Sequence, residues 1–425
     1  MFGVEHPVTL LILGNLANTY ANNGKLSEAE QLEIQVLDIR KKMLGAEHPD
    51  TLTSMENLAS TYSHQGKWDE AGQLSVQVLD MRKKLFGMEH PETLGIMGNL
   101  AVIYANQGKL SESEQLEVQV LNMSKKLLGE EHPETLRFMG NLARNYSEKG
   151  KLKEAEQLEV QVLDMRKQLH GAEHPHTLQC MANLASTYAN QGKWNEEEQL
   201  QVQVLDIRKK LFSVEHPETL RSMGNLASTY FKKGNLKRAE QLEVQVLDMR
   251  TKLLGAEHPH TLLSMAKNLA TTYSNQKKCN EAEQLQVQAL DMRKKVLGAE
   301  HPHTLSSMAN LACTYSSQGK LIEAEQLEVQ VLDLREKLLG SEHPDTLVSM
   351  EKLAYTYAGQ ENWNEAEQLQ AQVLNMRKKV LGAEHPHTIL SMEILAQMYV
   401  KQGKLTKSSQ IEAEVQDLRK RKERE

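Results

Sequence analysis

Apolar residues between positions 48 and 89 form two stripes with a turn between them. The first stripe contains Leu52, Met55, Leu58, Ala59 and Tyr62, and the second contains Ala71, Leu74, Val78, Met81 and Leu85. Spacings of three and four predict two amphipathic helices. Gly66 lies between the stripes and predicts the end of the first helix, because glycine readily takes the left-handed conformation of a helix C-terminus. The segment therefore predicts a helical hairpin.

The residues that flank the stripes support this prediction. Pro49 suits the first position of a helix, where its missing N–H is no loss. Asp50 and Asp69 place negative charge near the two predicted helix starts, and the basic run 82–84 places positive charge near the end of the second helix. Both signs oppose the helix dipole and are stabilising. Gly87 predicts the stop before the next hairpin.

The same pattern recurs along the whole chain. The triplet Glu-His-Pro occurs ten times, nearly always 42 residues apart, and every proline belongs to one of these triplets. Its histidines are His6, His48, His90, His132, His174, His216, His258, His301, His343 and His385. A fixed period of this kind is typical of a solenoid. We expect an all-α fold, with a single solenoid of ten antiparallel helical hairpins over residues 1–425.

Two hairpins depart from the period. Repeat seven, residues 256–298, carries one extra residue around Ala266 and Lys267, which we expect to be absorbed as a bulge or a register shift. The turn glycine is replaced by Lys277 in that repeat and by Glu361 in repeat nine. We expect bends or weak points at these positions.

One motif of the repeat resembles a known family. It is clearest in residues 183–200, as Asn183-Leu184-Ala185, Tyr188, Gln191-Gly192-Lys193, Glu196 and Leu200. This motif resembles the tetratricopeptide repeat, and the 42-residue period is similar to that of the kinesin light chain subgroup, which also occurs in nephrocystin-type and fungal receptor-like proteins. The resemblance covers essentially the whole chain. It implies a right-handed superhelix and a non-enzymatic protein-interaction scaffold.

The chain departs from these relatives in three ways. No heptad coiled coil precedes residue 6, and no phosphate-binding loop motif is present, so we expect the chain to correspond to the repeat array alone. The aromatic residue that many such repeats carry in the second helix is replaced by Glu33, Ser75, Glu117 and their equivalents.

Composition narrows the classes of function. The chain is 40% hydrophobic but only 4% aromatic, a balance that suits stacked helices. Fifty basic and 57 acidic residues give a net charge of −7 without a strongly basic domain, so we expect no nucleic-acid partner. We see no signal-peptide pattern and no apolar run approaching ~18 residues. We therefore expect a cytoplasmic protein without a membrane partner.

Neither a metal site nor a catalytic site is expected. Cys180, Cys279 and Cys313 lie far apart and lack metal-ligand spacing. Each loop histidine precedes a helix proline, so we interpret it as a helix-start residue rather than a zinc ligand. No nucleophile or metalloprotease motif is present. We expect no cofactor, no metal and no enzymatic activity.

Asparagine precedes Leu-Ala in eight repeats, although it costs roughly half a kcal/mol relative to alanine in a helix. One interpretation is a hydrogen bond to the neighbouring hairpin. The other is a ladder of amides that pairs with the backbone of a bound peptide, as the family resemblance implies. The predicted peptide-binding asparagines are Asn57, Asn99, Asn141, Asn183, Asn225 and Asn310.

Charge on the same predicted face is uneven. Its basic members are Arg137, Arg144, Arg221 and Lys232, with Phe138 and Phe231 nearby. An ordinary solvated surface is one interpretation, and a basic groove that attracts an acidic peptide is the other. Glycines at 14, 98, 140 and 224 precede the asparagines. They indicate either simple packing or the close approach of another backbone.

Two further functions are compatible with the fold. Repeat one is unusually apolar at Leu10-Leu11-Ile12-Leu13, so an exposed first repeat could form a homo-oligomer, which would make the chain a self-associating structural element. The chain could also be a ligand-sensing array related to receptor-like proteins. Our leading hypothesis remains a scaffold that binds an extended, acidic segment of a partner protein.

Overall fold

The computed structural model describes residues 3–422, with side chains described through residue 419. Its regular secondary structure is entirely helical over the described residues. Contacts divide the chain into two compact units, Met1–Leu211 and Phe212–Glu425. Each unit is a series of antiparallel helical hairpins, and consecutive helices within a unit pack against each other.

The helices of the first unit are α1 (Pro7–Asn22), α2 (Leu26–Leu44), α3 (Pro49–His64), α4 (Trp68–Phe86), α5 (Pro91–Asn106), α6 (Leu110–Leu128), α7 (Pro133–Glu148), α8 (Leu152–His170), α9 (Pro175–Asn190) and α10 (Trp194–Leu211). Those of the second unit are α11 (Pro217–Lys232), α12 (Leu236–Leu254), α13 (Pro259–Leu263), a π-helical segment (Ser264–Leu269), α14 (Ala270–Asn275), α15 (Cys279–Leu297), α16 (Pro302–Ser317), α17 (Leu321–Leu339), α18 (Pro344–Gly359), α19 (Trp363–Leu381), α20 (Pro386–Lys401) and α21 (Leu405–Lys422).

The Glu-His-Pro loop starts the first helix of each hairpin. At α3, the backbone N–H of Asp50 donates a 3.2 Å hydrogen bond to Nδ1 of His48, and Pro49 occupies the first helical turn. The buried Thr51 hydroxyl donates a 2.8 Å hydrogen bond to the carbonyl of Gly45. The loop therefore caps one helix and ties it to the end of the previous one, because otherwise unpaired backbone groups find partners.

The turn inside a hairpin, Gln65-Gly66-Lys67 in repeat two, contacts the hairpin before it. Gln65 Nε2 donates to the carbonyl of Leu26 at 3.1 Å, and Lys67 Nζ lies 2.9 Å from Glu30 Oε2. Gly66 between them has a φ of +76°, which glycine adopts without strain. The hydrogen bond from Lys67 lowers the pKa of Glu30. Equivalent ion pairs are Lys151–Glu114, Lys193–Glu156, Lys278–Glu240, Lys320–Glu283 and Lys404–Glu367.

A continuous apolar core runs through α2–α8 of the first unit. Leu52, Met55, Leu94 and Met97 of the first helices pack with Val78 of a second helix, and all five are at most 1% exposed. Burying one such side chain contributes about 1.5–3 kcal/mol. The core therefore lies between the helices of each hairpin and its neighbour, as the three-and-four spacing predicts.

The extra residue of repeat seven is absorbed within its first helix. Residues Ser264–Leu269 form a π-helical segment between α13 and α14. Leu262 before the segment and Leu269 at its end are both buried, so the wider turn keeps the apolar stripe facing the core. The turn positions that lack glycine, Lys277 and Glu361, have φ values of +63° and +66°.

Candidate functional site

A cavity of about 420 Å³ opens between α7 and α9, above α8, in the first unit. Four predicted site residues line it: Asn141, Asn183, Arg137 and Arg144. Glu159, Val162 and Arg166 of α8 also line the cavity, together with Cys180 of α9. Its volume lies in the range of small-ligand sites in proteins, ~300–1,000 Å³. The structure thus brings part of the predicted asparagine ladder and part of the predicted basic face into one place.

The cavity asparagines do not bond to the neighbouring hairpin. Asn183 Oδ1 accepts a 2.9 Å hydrogen bond from Gln179 Nε2, one turn earlier in the same helix. Asn141 is half-buried, and its amide has no hydrogen-bond partner among the described residues. The first interpretation of the ladder, a bond between hairpins, therefore does not describe these two residues. The side-chain amide of Asn141 is therefore available to a ligand inside the cavity.

The two predicted arginines of α7 differ in their surroundings. Arg137 Nη2 donates to Glu134 Oε2 at 2.6 Å, and its guanidinium lies 4.6 Å from the centre of the Phe138 ring. Arg144 is exposed, and its charge opposes the dominant effect of burial, which raises the pKa of Glu117 to about 7. Arg137 is thus held within its own helix, whereas Arg144 extends into solvent.

Arg166 also lines the cavity, although the sequence did not single it out. In five other hairpins the equivalent arginine donates to a serine of the following helix, as Arg40 Nη1 does to Ser54 Oγ at 2.8 Å. Cys180 takes the place of that serine beside Arg166. In the part of the chain that the structure describes, the Arg166 guanidinium has no hydrogen-bond partner, and its Nε is buried.

Glu159 is the acidic side chain that lines the cavity. It is 8% exposed, and burial raises the pKa of its carboxyl. Oε2 of this carboxyl is buried without a hydrogen-bond partner among the described residues. A buried carboxyl of this kind holds its proton to higher pH than an exposed one, which reduces its repulsion of an anion.

A second cavity, of about 330 Å³, lies between α3 and α5. Asn99 lines it with the apolar side chains of Ile96, Val102, Ile103 and Trp68. It differs from the first cavity in having no arginine among its lining residues. Asn57 on α3 is half-buried but lines neither of these two cavities.

The other predicted site residues belong to the second unit. Arg221 Nη2 donates to Glu218 Oε2 at 2.5 Å within α11. Lys232 and Asn225 are exposed on the same helix, and Asn310 is half-buried on α16. Their role as peptide-binding residues remains a prediction.

The glycines before the asparagines have two different surroundings. A Cβ at Gly98 would lie 2.5 Å from Cε1 of Phe138, so this glycine makes room for a ring. A Cβ at Gly140, which lines the first cavity, would meet nothing within 4 Å. Packing therefore explains Gly98, while Gly140 faces open space beside Asn141.

Metal-ligating side chains do not gather in the described residues, where no three of His, Cys, Asp or Glu could hold one ion. The loop histidines instead serve as helix caps through Nδ1, as at His132 and His174. Within the described residues, no helix is long and apolar enough to cross a membrane.

Comparisons with known proteins agree with this architecture. A tetratricopeptide repeat model matches residues 8–84, 50–126, 92–168, 180–252 and 260–337, and a second tetratricopeptide repeat model matches residues 346–387. No curated protein matches the chain.

Solved structures of repeat proteins are also similar. A candidate kinesin light chain of Podosopora anserina with nearly identical TPR-like repeats is 36% identical, covering 49% of this chain and 98% of its own, with a TM-score of 0.45. The apo form of RapI is 13% identical and covers 98% of both chains, with a TM-score of 0.53. The apo quorum sensor NprR of B. thuringiensis is 16% identical over 84% of this chain and 99% of its own, with a TM-score of 0.54. The last two likenesses concern the fold alone.

The matched repeats account for most of the chain, and the matched ranges coincide with helical hairpins of the structure. Tetratricopeptide repeats generally form scaffolds for protein–protein interaction rather than catalytic sites. The chain belongs to the tetratricopeptide repeat family.

Proposed function

We propose that this protein is a non-enzymatic interaction scaffold that binds an extended, acidic segment of a partner protein in the α7–α9 cavity. The observation that carries the proposal is the meeting of Asn141, Asn183 and Arg144 in one open cavity. The ladder and the basic residues were predicted to share one face of the first helices, and members of both line this cavity.

The two asparagines would hold the backbone of the partner segment. A side-chain amide offers one acceptor and two donors, which match the C=O and N–H groups of a peptide bond. Asn141 has no other partner among the described residues, and Gly140 beside it leaves room for a backbone to approach. A peptide held mainly through its backbone must be extended, because helical backbone groups already pair with each other.

Arg144 would select for acidic side chains. It is exposed at the cavity and lies in a different part of the cavity lining from the ion-paired Arg137. A positive site on a chain with a net charge of −7 attracts and orients anionic segments, and the attraction weakens with added salt.

A peptide-display selection on the purified chain tests the proposal. The parent is compared with a double variant, Asn141→Ala with Asn183→Ala, and with a matched double control, Asn122→Ala with Asn375→Ala, at two exposed asparagines outside the cavity. We expect acidic sequences to be enriched on the parent and the control but not on the double variant. Circular dichroism and melting must first show that all three are equally folded. Equal enrichment on all three would refute the role of the ladder in this cavity.

A charge-reversal series tests the selection for acidic residues. We expect Arg144→Glu to weaken binding of a selected peptide about tenfold without unfolding the chain, since it replaces attraction with repulsion. Lys84→Glu, an exposed position on α4 outside the cavity, is the matched control for net charge. If both variants weaken binding equally, the effect comes from net charge and the assignment of Arg144 is wrong.

A second candidate function is self-association through α1. Leu11 and Ile12 on this helix are 56% and 59% exposed, and Val8 and Leu16 are exposed beside them. Apolar area of this kind on one helix face favours contact with another copy. Light scattering over a range of concentrations tests it: a dimer that Ile12→Glu dissociates supports self-association, and a concentration-independent monomer refutes it.

A further inference from the structure

We infer that Arg166, which has lost its serine partner to Cys180, forms a carboxylate-binding subsite in the α7–α9 cavity. This inference rests on the proposed function for the origin of the carboxylate, an acidic side chain or the C-terminus of the bound segment. The subsite itself follows from a comparison among hairpins of the chain.

In five other hairpins, Nη1 of the arginine at this position of the second helix donates two hydrogen bonds to protein groups. Arg250 Nη1 donates to Ser264 Oγ at 2.7 Å and to the carbonyl of His260 at 3.2 Å. The same pair of bonds recurs at Arg40, Arg293, Arg335 and Arg377. An arginine held in this way ties one hairpin to the next, and its Nη1 is not available to a ligand.

Cys180 removes that partner. A thiol is a weak hydrogen-bond acceptor compared with a hydroxyl. Burial raises the pKa of the Cys180 thiol, and the nearby Arg166 charge opposes that rise only in part. The thiol is therefore neutral near pH 7 and supplies no counter-charge. Within the described residues, the Nη1 bonds of the other hairpins have no counterpart at Arg166, and its Nε is buried without a hydrogen-bond partner, an unfavourable state for an N–H group.

None of the other charged groups that line the cavity is seen to neutralise Arg166, so an anion can bind there. Arg137 is paired with Glu134, and Arg144 adds positive charge at the opposite helix. Glu159 lines the same cavity, but Arg166 is not among the groups that shift its pKa, which burial raises. His176 at the start of α9 is exposed. A carboxylate fits best because its two oxygens match the planar fork of one guanidinium.

Acetate is the simplest probe of the subsite and does not require peptide binding. The Nε–H resonance of Arg166 in ¹⁵N-labelled protein, assigned with Arg166→Lys, is followed during titration with sodium acetate against sodium chloride. Cys180→Ser restores the serine of the other hairpins, so we expect acetate to bind it about tenfold more weakly than the parent. Ser264→Cys, the opposite exchange in the second unit, should leave the Arg166 titration unchanged. An Arg166 resonance that ignores acetate, or equal titration in the parent and Cys180→Ser, overturns the subsite.

Binding of modified peptides then identifies which group supplies the carboxylate. A display-selected acidic peptide is compared with its C-terminal amide and with a form whose acidic side chains are changed to amides, each on the parent and on Cys180→Ser. If one of these peptide changes abolishes the difference in affinity between the parent and Cys180→Ser, the changed group is the one bound at Arg166. If the selected peptide binds both proteins equally, peptide binding in the α7–α9 cavity is supported and the subsite is refuted. If acetate binds at Arg166 but no peptide is selected, the proposed function fails and the anion subsite stands.

Discussion

The Phe138 ring packs so closely over Gly98 that a Cβ built on this glycine would lie 2.5 Å from Cε1 of the ring. Phe138 is 3% exposed and joins the core of the first unit. The ring also carries Arg137 on its face, at 4.6 Å from the ring centre. A glycine on one helix thus sets the position of a ring, and an arginine of the cavity stacks on that ring.

Gly98→Ala should therefore destabilise the protein by about 1–3 kcal/mol, because the added methyl group forces the ring out of a well-packed core. Gly140→Ala is the matched control. Its Cβ meets nothing within 4 Å, and alanine favours helix, so it should stabilise by up to ~1 kcal/mol. Urea unfolding of both variants checks the pair. Equal effects of the two substitutions would contradict the packing account of Gly98.

Replacing Lys277 or Glu361 by glycine should stabilise the protein. Both have a positive φ, a conformation that costs a residue with a Cβ roughly 1–2 kcal/mol relative to glycine. We expect a gain of about 1 kcal/mol for each change, measured by thermal or urea unfolding. Gly319→Lys in the neighbouring repeat, where φ is +77°, should show a loss of similar size. No difference in either direction would show that these turns relax at little cost.

Deletion of Lys267 should convert the π-helical segment into regular α-helix. The deletion changes Ser-Met-Ala-Lys-Asn-Leu-Ala into the Ser-Met-Ala-Asn-Leu-Ala of α16, whose helix is regular. The exposed Lys267 contributes no side chain to the core, so the fold should be retained. Amide hydrogen exchange should become slower between Ser264 and Leu269, because ordinary i→i−4 bonds replace the wider turn. Loss of folding would show that the insertion is needed for packing around it.

Glu243→Gln should stabilise the protein at high pH. Burial raises the pKa of Glu243 to about 7, above the ~4.3 of an unfolded chain. The folded state thus binds this proton more tightly, and its contribution to stability is complete below about pH 4.5 and is lost as the pH rises through about 7. We expect the variant to be about 1–3 kcal/mol more stable at pH 8, with no difference near pH 4.5. Gln286, buried at the equivalent position, shows that glutamine fits.

Glu240→Gln is the control of opposite sign for this pH dependence. The hydrogen bond from Lys278 lowers the pKa of Glu240, so its contribution is present above the unfolded pKa and is lost as the pH falls. The variant should be less stable than the parent at neutral pH and should approach it in acid. Parallel pH profiles for the two variants would contradict the contrast between the buried and the ion-paired glutamate.

Local signals predicted the hairpins and their limits. The Pro49 start and the Gly66 and Gly87 stops agree with α3 (Pro49–His64) and α4 (Trp68–Phe86), because caps and turns depend on residues close in sequence. The extra residue near Lys267 and the turns without glycine at Lys277 and Glu361 were also visible as breaks in a strict period.

The candidate site was predicted only in part. Asn141, Asn183, Arg137 and Arg144 lie on first helices that share a repeated pattern, so their common face could be inferred. Arg166 lies on a second helix and looked like one of many basic residues at a helix end. The signal that could have found it is the substitution of serine by Cys180 fourteen residues later, which has meaning only once the arginine–serine pair is known.

The sequence by itself determined the repeat, the helical hairpins, their caps and the membership of the tetratricopeptide repeat family, because these depend on spacing and on residues within one or two turns of each other. The tertiary structure alone decided which side chains share a cavity, which arginines are bonded to a serine of the next hairpin and which glutamates are buried. Those properties depend on contacts between hairpins, because the groups that surround a residue such as Arg166 or Glu243 lie on other helices and set its exposure and the hydrogen bonds open to it.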